Sequence, residues 1–372
     1  MIDFLIIGGG AAGLYAASLI KDAVILERND ECGRKLLLTG GGRCNYTHTG
    51  SVEDLLEHYH GSKQFIKKVL YQHCNEDIIA HFEKLGINPK KENGKIFPQS
   101  GDAHSIRDAL LGNHPRIIKG IALSIEKSGD SFLVITDNGT LEAKRILFAS
   151  GGNSFPKTGS DGLGYSILKR LGHSIASQHP ALAPLELSPS LKEAEGITIP
   201  VTLKKGKKEV SDMAVITRRG ISGPAAENFS YLLNGKEEIT ISFDSTDIHS
   251  LREKTGSTLL KNALSIPPRL AAMLLGPTAE KKIANLSKEE ERKATEVLQR
   301  GVFMAKPIAE GAMSTAGGVK TEEINPMTME SKIIPGLYFA GDIIDVDADC
   351  GGYSLTWAFA TAYIAVKHSI LR

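Results

Sequence analysis

The first 27 residues confine this chain to a narrow set of folds. Asp3-Phe4-Leu5-Ile6-Ile7 reads as a short apolar strand running straight into Gly8-Gly9-Gly10-Ala11-Ala12-Gly13. An apolar helical stretch, 14–20, follows, and a second strand, Ala23-Val24-Ile25-Leu26, ends in Glu27. Strand, glycine turn, helix, strand and acid, in that order, make the βαβ unit that binds adenine dinucleotides. Gly8 permits the tight turn, Gly10 lets backbone N–H groups approach a pyrophosphate, and Gly13 lets helix and strand pack closely. The helix start at Ala11 and Ala12 offers free N–H donors and about half a positive charge to that pyrophosphate. Glu27, nineteen residues after Gly8, is placed to accept ribose hydroxyl protons. Both NAD and FAD carry that ribose, so Glu27 does not choose between them.

The length of 372 residues suits two or three domains with a sizeable core. The 44 basic and 43 acidic residues nearly cancel, so no global field recruits nucleic acid or a membrane surface. Cys32, Cys44, Cys74 and Cys350 form no CxxC pair. That spacing excludes a zinc ribbon and the dithiol of disulfide reductases, and it suits a reducing cytosol. The apolar start has no basic segment before it, and its glycines match the nucleotide turn rather than a signal peptide. No stretch reaches the roughly 18–20 uninterrupted apolar residues of a membrane span. The expectation is a soluble, cytoplasmic protein.

Further along, 28–50 is a glycine- and basic-rich loop containing Arg28, Arg34-Lys35 and Gly40-Gly41-Gly42-Arg43-Cys44-Asn45. Helical spacing over 51–86 is followed by short strands at 116–123, 131–136 and 146–148, then by a glycine-rich loop at 151–164. Composition shifts near Pro180–Pro189. Alternation at 197–203, 213–217 and 239–243 predicts a small β-domain, and 247–302 turns helical and charged. The outline is an α/β protein: a discontinuous Rossmann-like FAD-binding domain, 1–183 and 306–372, with an inserted β-barrel-like domain, 184–246, and an inserted helical domain, 247–305. There are no internal repeats.

The C-terminal segment decides between cofactors. Pro335-Gly336-Leu337-Tyr338-Phe339-Ala340-Gly341-Asp342 is a turn and a short buried strand ending in Gly-Asp. Gly351-Gly352-Tyr353-Ser354 then leads into an apolar helix from Leu355. A strand ending in Gly341-Asp342 reaches ribityl and phosphate oxygens far from the adenine, and the free N–H groups near Leu355 suit the flavin edge. No second complete GxGxxG follows a strand, so a dedicated NAD(P)H domain is not expected.

The motifs resemble a family of bacterial NAD(P)/FAD-dependent oxidoreductases that includes aminoacetone-oxidase-like and bile-acid 3-dehydro-Δ4,6-reductase-like flavoproteins. More distantly, the chain is similar to the fumarate-reductase flavoproteins. The resemblance rests on the fingerprint, KLLLTGGGRCNYTH at 35–48, FASGGNSFPKTGSDGLGY at 148–165, RRGISGPA at 218–225, STAGGVKTEEINPMTMESK at 314–332 and the segment 335–365. It implies noncovalent FAD, a discontinuous nucleotide domain and an insert covering the flavin. It also implies that Gly41, Gly42, Arg43, Cys44 and Asn45 pass beside the isoalloxazine. The sequence departs from the family pattern at Arg218-Arg219, at Gly341-Asp342 where Gly-Glu is common, and at Tyr353-Ser354 where Tyr-Asn is frequent.

Arg34-Lys35 suit pyrophosphate neutralisation, and Arg28, just after the second strand, is a further cofactor-binding candidate. The resemblance further implies that the crossing at Ala149 and Gly151 closes on the adenosine half of the cofactor and that Ala122 lies where such folds place a backbone contact to adenine, with Gly352 and Tyr353 at the flavin edge. Cys44 has no partner cysteine and reads as a packing thiol beside the flavin. The run Asp342, Asp345, Asp347, Asp349 is acidic enough to invite a cation, yet no metal is expected. Arg43, Tyr353 and Arg219 are the candidates for a proton donor, with none singled out. The reading is an FAD-dependent oxidoreductase in which NAD(P)H, as a transient donor, reduces an unsaturated or carbonyl-conjugated small molecule, without nucleic acid or membrane partners. Three alternatives stay open: oxygen-dependent amine or amino-ketone oxidation, nucleic-acid modification, and a flavoprotein that senses without turnover.

Overall fold

The computed structural model describes residues 1–255 and 257–369; the last three residues of the expected outer domain lie outside it. The elements used below are, in chain order, β1 (Leu5–Ile7), α1 (Ala11–Ser18), β2 (Val24–Glu27), β3 (Arg116–Lys119) and β4 (Ile146–Phe148). They continue with β5 (Leu185–Ser188), β6 (Thr198–Lys205), β7 (Lys208–Ile216), β8 (Gly220–Ser222), β9 (Glu237–Ser242), β10 (Gly301–Pro307), β11 (Leu337–Phe339) and α2 (Tyr353–Ser369). Two compact units emerge: Met1–His179 with Ser314–Arg372, and Pro180–Met313.

The first unit is built on a five-stranded parallel sheet ordered β11-β4-β1-β2-β3. Three of its strands are only three residues long, and those of β1, β4 and β11 are buried throughout. That is the continuous apolar pattern of a parallel sheet covered on both faces, rather than the alternation of a half-exposed strand. α2 is likewise buried nearly all round, and it packs on α1 with the Tyr15 and Phe359 rings stacked 4.7 Å apart. Chain order reverses about β1: β2 lies on one side, while β4 and then β11 lie on the other. The crevice at the carboxyl ends of the strands is therefore a topological switch point, where open α/β sheets bind ligands.

The second unit is a closed antiparallel barrel, ordered β5-β8-β7-β6-β9-β10, with short helices packed on it. Leu185, Ile199, Leu203, Ile216, Ile241 and Phe303 fill its interior, and Ala294 and Leu298 of the helix Lys288–Arg300 belong to the same core. β10, at the end of the charged helical stretch, closes the barrel; its alternation of buried Phe303 and Ala305 with exposed Val302 and Lys306 is short enough to escape a sequence reading. Among the described residues no helix is long and apolar enough to cross a membrane.

Candidate functional site

The glycine turn after β1 has the geometry its spacing implies. Gly8 adopts φ +103°, and a Cβ there would stand 2.5 Å from the Ala149 carbonyl oxygen. A Cβ on Gly13 would drive into the Gly8 carbonyl oxygen, so α1 can meet β1 this closely only without a side chain. Gly10 is different: a Cβ there would meet nothing within 4 Å. It is the N-cap of α1 and supplies no side-chain cap, leaving the first-turn N–H groups of Ala11, Ala12 and Gly13 for another acceptor.

Glu27 ends β2, is buried, and holds the turn together. Its Oε2 accepts from Gly9 N–H at 2.6 Å, and its Oε1 accepts from Asn29 N–H at 2.8 Å and Asn29 Nδ2 at 2.6 Å. Arg34 donates to Asn29 Oδ1 at 3.0 Å, while Arg28 pairs with Asp161 at 2.5 Å across the glycine-rich loop. Gly120 N–H donates to the Glu27 carbonyl at 2.9 Å, which brings Ala122 to the same edge; Ala149 N–H donates to Ile7 O, with Gly151 two residues beyond.

The other half of the edge comes from the C-terminal segment. Lys35 Nζ donates to Asp342 Oδ2 at 2.8 Å and to Ser154 Oγ at 3.3 Å, and Tyr165 Oη donates to the Asp342 carbonyl at 3.2 Å. Gly341 N–H is fixed by Thr361 Oγ1 of α2 at 3.0 Å. At the start of α2, the Tyr353 ring lies between His48 and His58, with centroids 5.0 and 4.4 Å away. Burial first, then the charges of Asp349 and Asp54, push the Tyr353 hydroxyl up to about 12, so it stays protonated. Leu355 follows in the first turn, half-buried.

The loop beside it turns on three successive positive φ angles, 57°, 67° and 87° at Gly40, Gly41 and Gly42, and a Cβ on Gly41 would meet open space. Cys44 is fully buried and burial pushes its thiol up to about 12, away from redox reactivity. Arg43 is engaged elsewhere: its guanidinium donates to both carboxylate oxygens of Glu92 at 2.8 Å and lies 4.2 Å above the Phe97 ring. Asn45 is 8% exposed, and its Oδ1, beside Gly352, lacks a hydrogen-bond partner; Ser354 Oγ is also buried and unpartnered.

Among the described residues, the acidic run included, no three His, Cys, Asp or Glu side chains are grouped to hold an ion. Burial tends to raise Asp349, but hydrogen bonds from His58 Nδ1 and His60 Nε2, each at 3.0 Å, outweigh it and hold the carboxyl below its usual range. Asp347 lacks such support, its Oδ2 is buried without a partner, and burial lifts its carboxyl to about 7. Arg219 lies in the second unit, exposed in the turn before β8 and paired with Glu186 at 2.5 Å. Sequence reasoning gave no role to Asn29, Ser154, Tyr165 or the two histidines beside Tyr353, although His48 ends the segment 35–48 and Ser154 and Tyr165 lie in the segment 148–165 that carry the family resemblance.

The donor set suits an extended dinucleotide carrying a flavin. The edge holds a cradle a Cβ on Gly10 would fill, a buried carboxylate beside it, a lysine and an aspartate further along, and orphaned polar atoms of Asn45 and Ser354 at the far end. A family model described as HI0933-like protein Rossmann domain matches residues 2–368.

The chain belongs to the HI0933-like family.

It is an FAD-dependent oxidoreductase of this family. The HI0933-like chain is 30% identical over 391 residues to the ribosomal RNA dihydrouridine synthase of Haemophilus influenzae, covering 96% of both chains. It is 29% identical over 405 residues to the 3-dehydro-bile acid delta(4,6)-reductase of Clostridium scindens, covering 97% of both. Among solved structures, it is similar to the open conformation of a flavocytochrome c3 fumarate reductase at TM-score 0.53 and 17% identity, covering 99% of this chain and 78% of that one; this likeness is one of fold.

Proposed function

We propose that this protein reduces a carbon–carbon double bond conjugated to a carbonyl group, drawing electrons from NAD(P)H, and that its substrate is a uracil base of ribosomal RNA. The observation that carries the reading is the pair of full-length relatives. Their names describe different substrates but one reaction: a dihydrouridine is a uridine whose ring double bond, conjugated to a carbonyl, has gained two hydrogens, and a Δ4,6-reductase acts on double bonds conjugated to a 3-oxo group. The RNA substrate is preferred because the relative at 30% identity carries that name, as does the Escherichia coli protein, 28% identical and matched over 99% of this chain.

When bound, FAD would supply the hydride-transfer chemistry. The chain's own residues provide position and electrostatics. The α1 start and Lys35 neutralise diphosphate charge, Glu27 accepts ribose hydroxyls, and Asp342 binds ribityl hydroxyls while paired to Lys35. Asn45 Oδ1 and Ser354 Oγ give the ring edge hydrogen-bond partners. Tyr353 holds its proton through neutral pH, whereas Arg43 is committed to Glu92, so Tyr353 is the better of the two as a donor.

The test is anaerobic mixing of the purified protein with NADH or NADPH, followed by rRNA lacking dihydrouridine. The reading expects bleaching of the flavin, recovery of its colour on adding rRNA, and dihydrouridine in the RNA digest. Recovery with a conjugated enone but not with rRNA favours the small-molecule reading, which the bile-acid relative supports. Reduction by amines alone, with recovery only in oxygen, contradicts the reductase.

A further inference from the structure

The hairpin joining β6 to β7 is rich in lysine. Its sequence, Lys204-Lys205-Gly206-Lys207-Lys208, puts four cations in five residues. The strands stay in register to its end, where Lys205 stands directly opposite Lys208, and Gly206 at φ +59° forms the turn. Like charges placed opposite each other across a strand pair repel, so the arrangement opposes the hairpin it sits on. Acids offset only half of it: Lys204 pairs with Glu209 at 2.8 Å and Lys205 with Glu237 at 2.5 Å. Lys207 and Lys208 are exposed and make no ion pair among the described residues; the same is true of Lys236, the neighbour of Glu237. Elsewhere on the barrel, the Arg219 guanidinium bonded to Glu186 at 2.5 Å, with the charges of Lys306 and Lys236 adding to it, holds that carboxyl below its usual range, and Glu310 acts on Arg219 in turn.

A common structural reason for lysines on strands is protection of an exposed sheet edge. It bears on Lys208, because β7 pairs with β8 only at Val215 and Ile216 and its hairpin end has β6 as its one strand partner, but it does not account for Lys204, on β6 between β7 and β9, or for Lys207, in the turn outside both strands. Charge retained against the local fold, on a projecting turn, fits a polyanion. The near-neutral total of the chain conceals this asymmetry.

We infer that the Lys204–Lys208 hairpin is an electrostatic arm that grips the sugar–phosphate backbone of the RNA substrate, with Lys207 and Lys208 as the contacting cations. This rests on the ribosomal RNA reading of the proposed function. Such contacts fix position and carry no sequence information, so base choice belongs to the flavin-bearing unit.

The experiment uses FAD-loaded protein and protein-free ribosomal RNA, with binding measured across about 50–200 mM salt. The affinity of the wild type should fall linearly in log–log coordinates. K207A/K208A should flatten that slope by roughly 1.4–1.8, the loss of about two phosphate contacts, and weaken binding at low salt. K207R/K208R should restore the wild-type slope, and K207Q/K208Q should repeat the alanine result on a second background. Flavin content and thermal midpoint report whether each variant is folded. Wild-type binding with an unchanged slope in both neutral variants overturns the arm and leaves the RNA reading standing. Absence of salt-dependent rRNA binding by the wild type, with no dihydrouridine formed, overturns that reading and the arm with it.

Discussion

Lys35 and Asp342, 307 residues apart in the chain, meet in an ion pair 2.8 Å long. Lys35 follows β2 and Asp342 follows β11, so the pair spans the carboxyl edge of the sheet from its N-terminal half to its C-terminal half. Both side chains are mostly buried, at 24% and 15% exposed, and Ser154 shares the lysine. Removing one partner should leave an uncompensated charge. Asp342→Asn or Lys35→Met is expected to destabilise the protein by about 1–3 kcal/mol, with the double variant less than additive by about 0.5–3 kcal/mol. Urea unfolding of the four-member cycle measures this, and strict additivity would show that the contact is incidental.

Two glycines of one motif should respond oppositely to alanine. Gly13→Ala places a methyl group against the Gly8 carbonyl oxygen and should cost at least about 1–3 kcal/mol of stability, read as a lowered thermal midpoint. Gly10 has open space and φ −79°, which any residue adopts. Gly10→Ala should keep the stability of the flavin-free protein within about 0.5 kcal/mol. It should still weaken FAD binding by tenfold or more, about 1.4 kcal/mol, because the methyl group occupies the cradle. Equal FAD affinity in wild type and Gly10→Ala would place the diphosphate elsewhere.

Two buried groups give stability opposite pH slopes. Burial lowers His73 to about 4, where it is hydrogen-bonded to Tyr15 at 2.8 Å and stacked on Tyr363. Its unfolded value is near 6.5, so the unfolded chain takes up a proton that the native chain refuses. Stability from this group is full above about 6.5 and is lost as pH falls toward 4, by at most about 3 kcal/mol. Asp347 runs the other way: raised to about 7, it keeps its proton in the native chain and loses stability as pH rises from about 4 to 7. His73→Gln should flatten the acid limb of the profile, and Asp347→Asn should stabilise the protein above pH 7. Unfolding midpoints across pH check both signs.

The thiol chemistry is equally specific. Burial, aided by Glu27, raises Cys32 to about 11, and burial raises Cys44 to about 12. Both should resist alkylation at about pH 8 until the protein unfolds. Mass spectrometry after a short iodoacetamide pulse checks this; early labelling of Cys44 would restore it as a reactive thiol beside the flavin.

How much of this was legible beforehand depends on how local the signal is. The turn at Gly8–Gly13 and the acid at Glu27 were readable because the motif sits inside one βαβ unit, where spacing alone fixes geometry. The Gly341-Asp342 strand end was readable for the same reason. Its pairing with Lys35 was not, since a contact across 307 residues leaves no periodic trace. Arg43 looked free as a member of a glycine-rich loop, and only folding brings Glu92 and Phe97 to it. Tyr353 was named without the histidines on either side of it, which come from a different part of the chain. β10 escaped because seven residues at the end of a charged helical stretch alternate too briefly to outweigh their surroundings.

An FAD titration of the purified, flavin-depleted protein, followed by quenching of flavin fluorescence, tests the cofactor site most directly. Saturable binding that reaches its end point at equimolar FAD, and that weakens in Gly10→Ala and Asp342→Asn while both remain folded, is the predicted result. Absence of saturable binding, or binding indifferent to both substitutions, would contradict it.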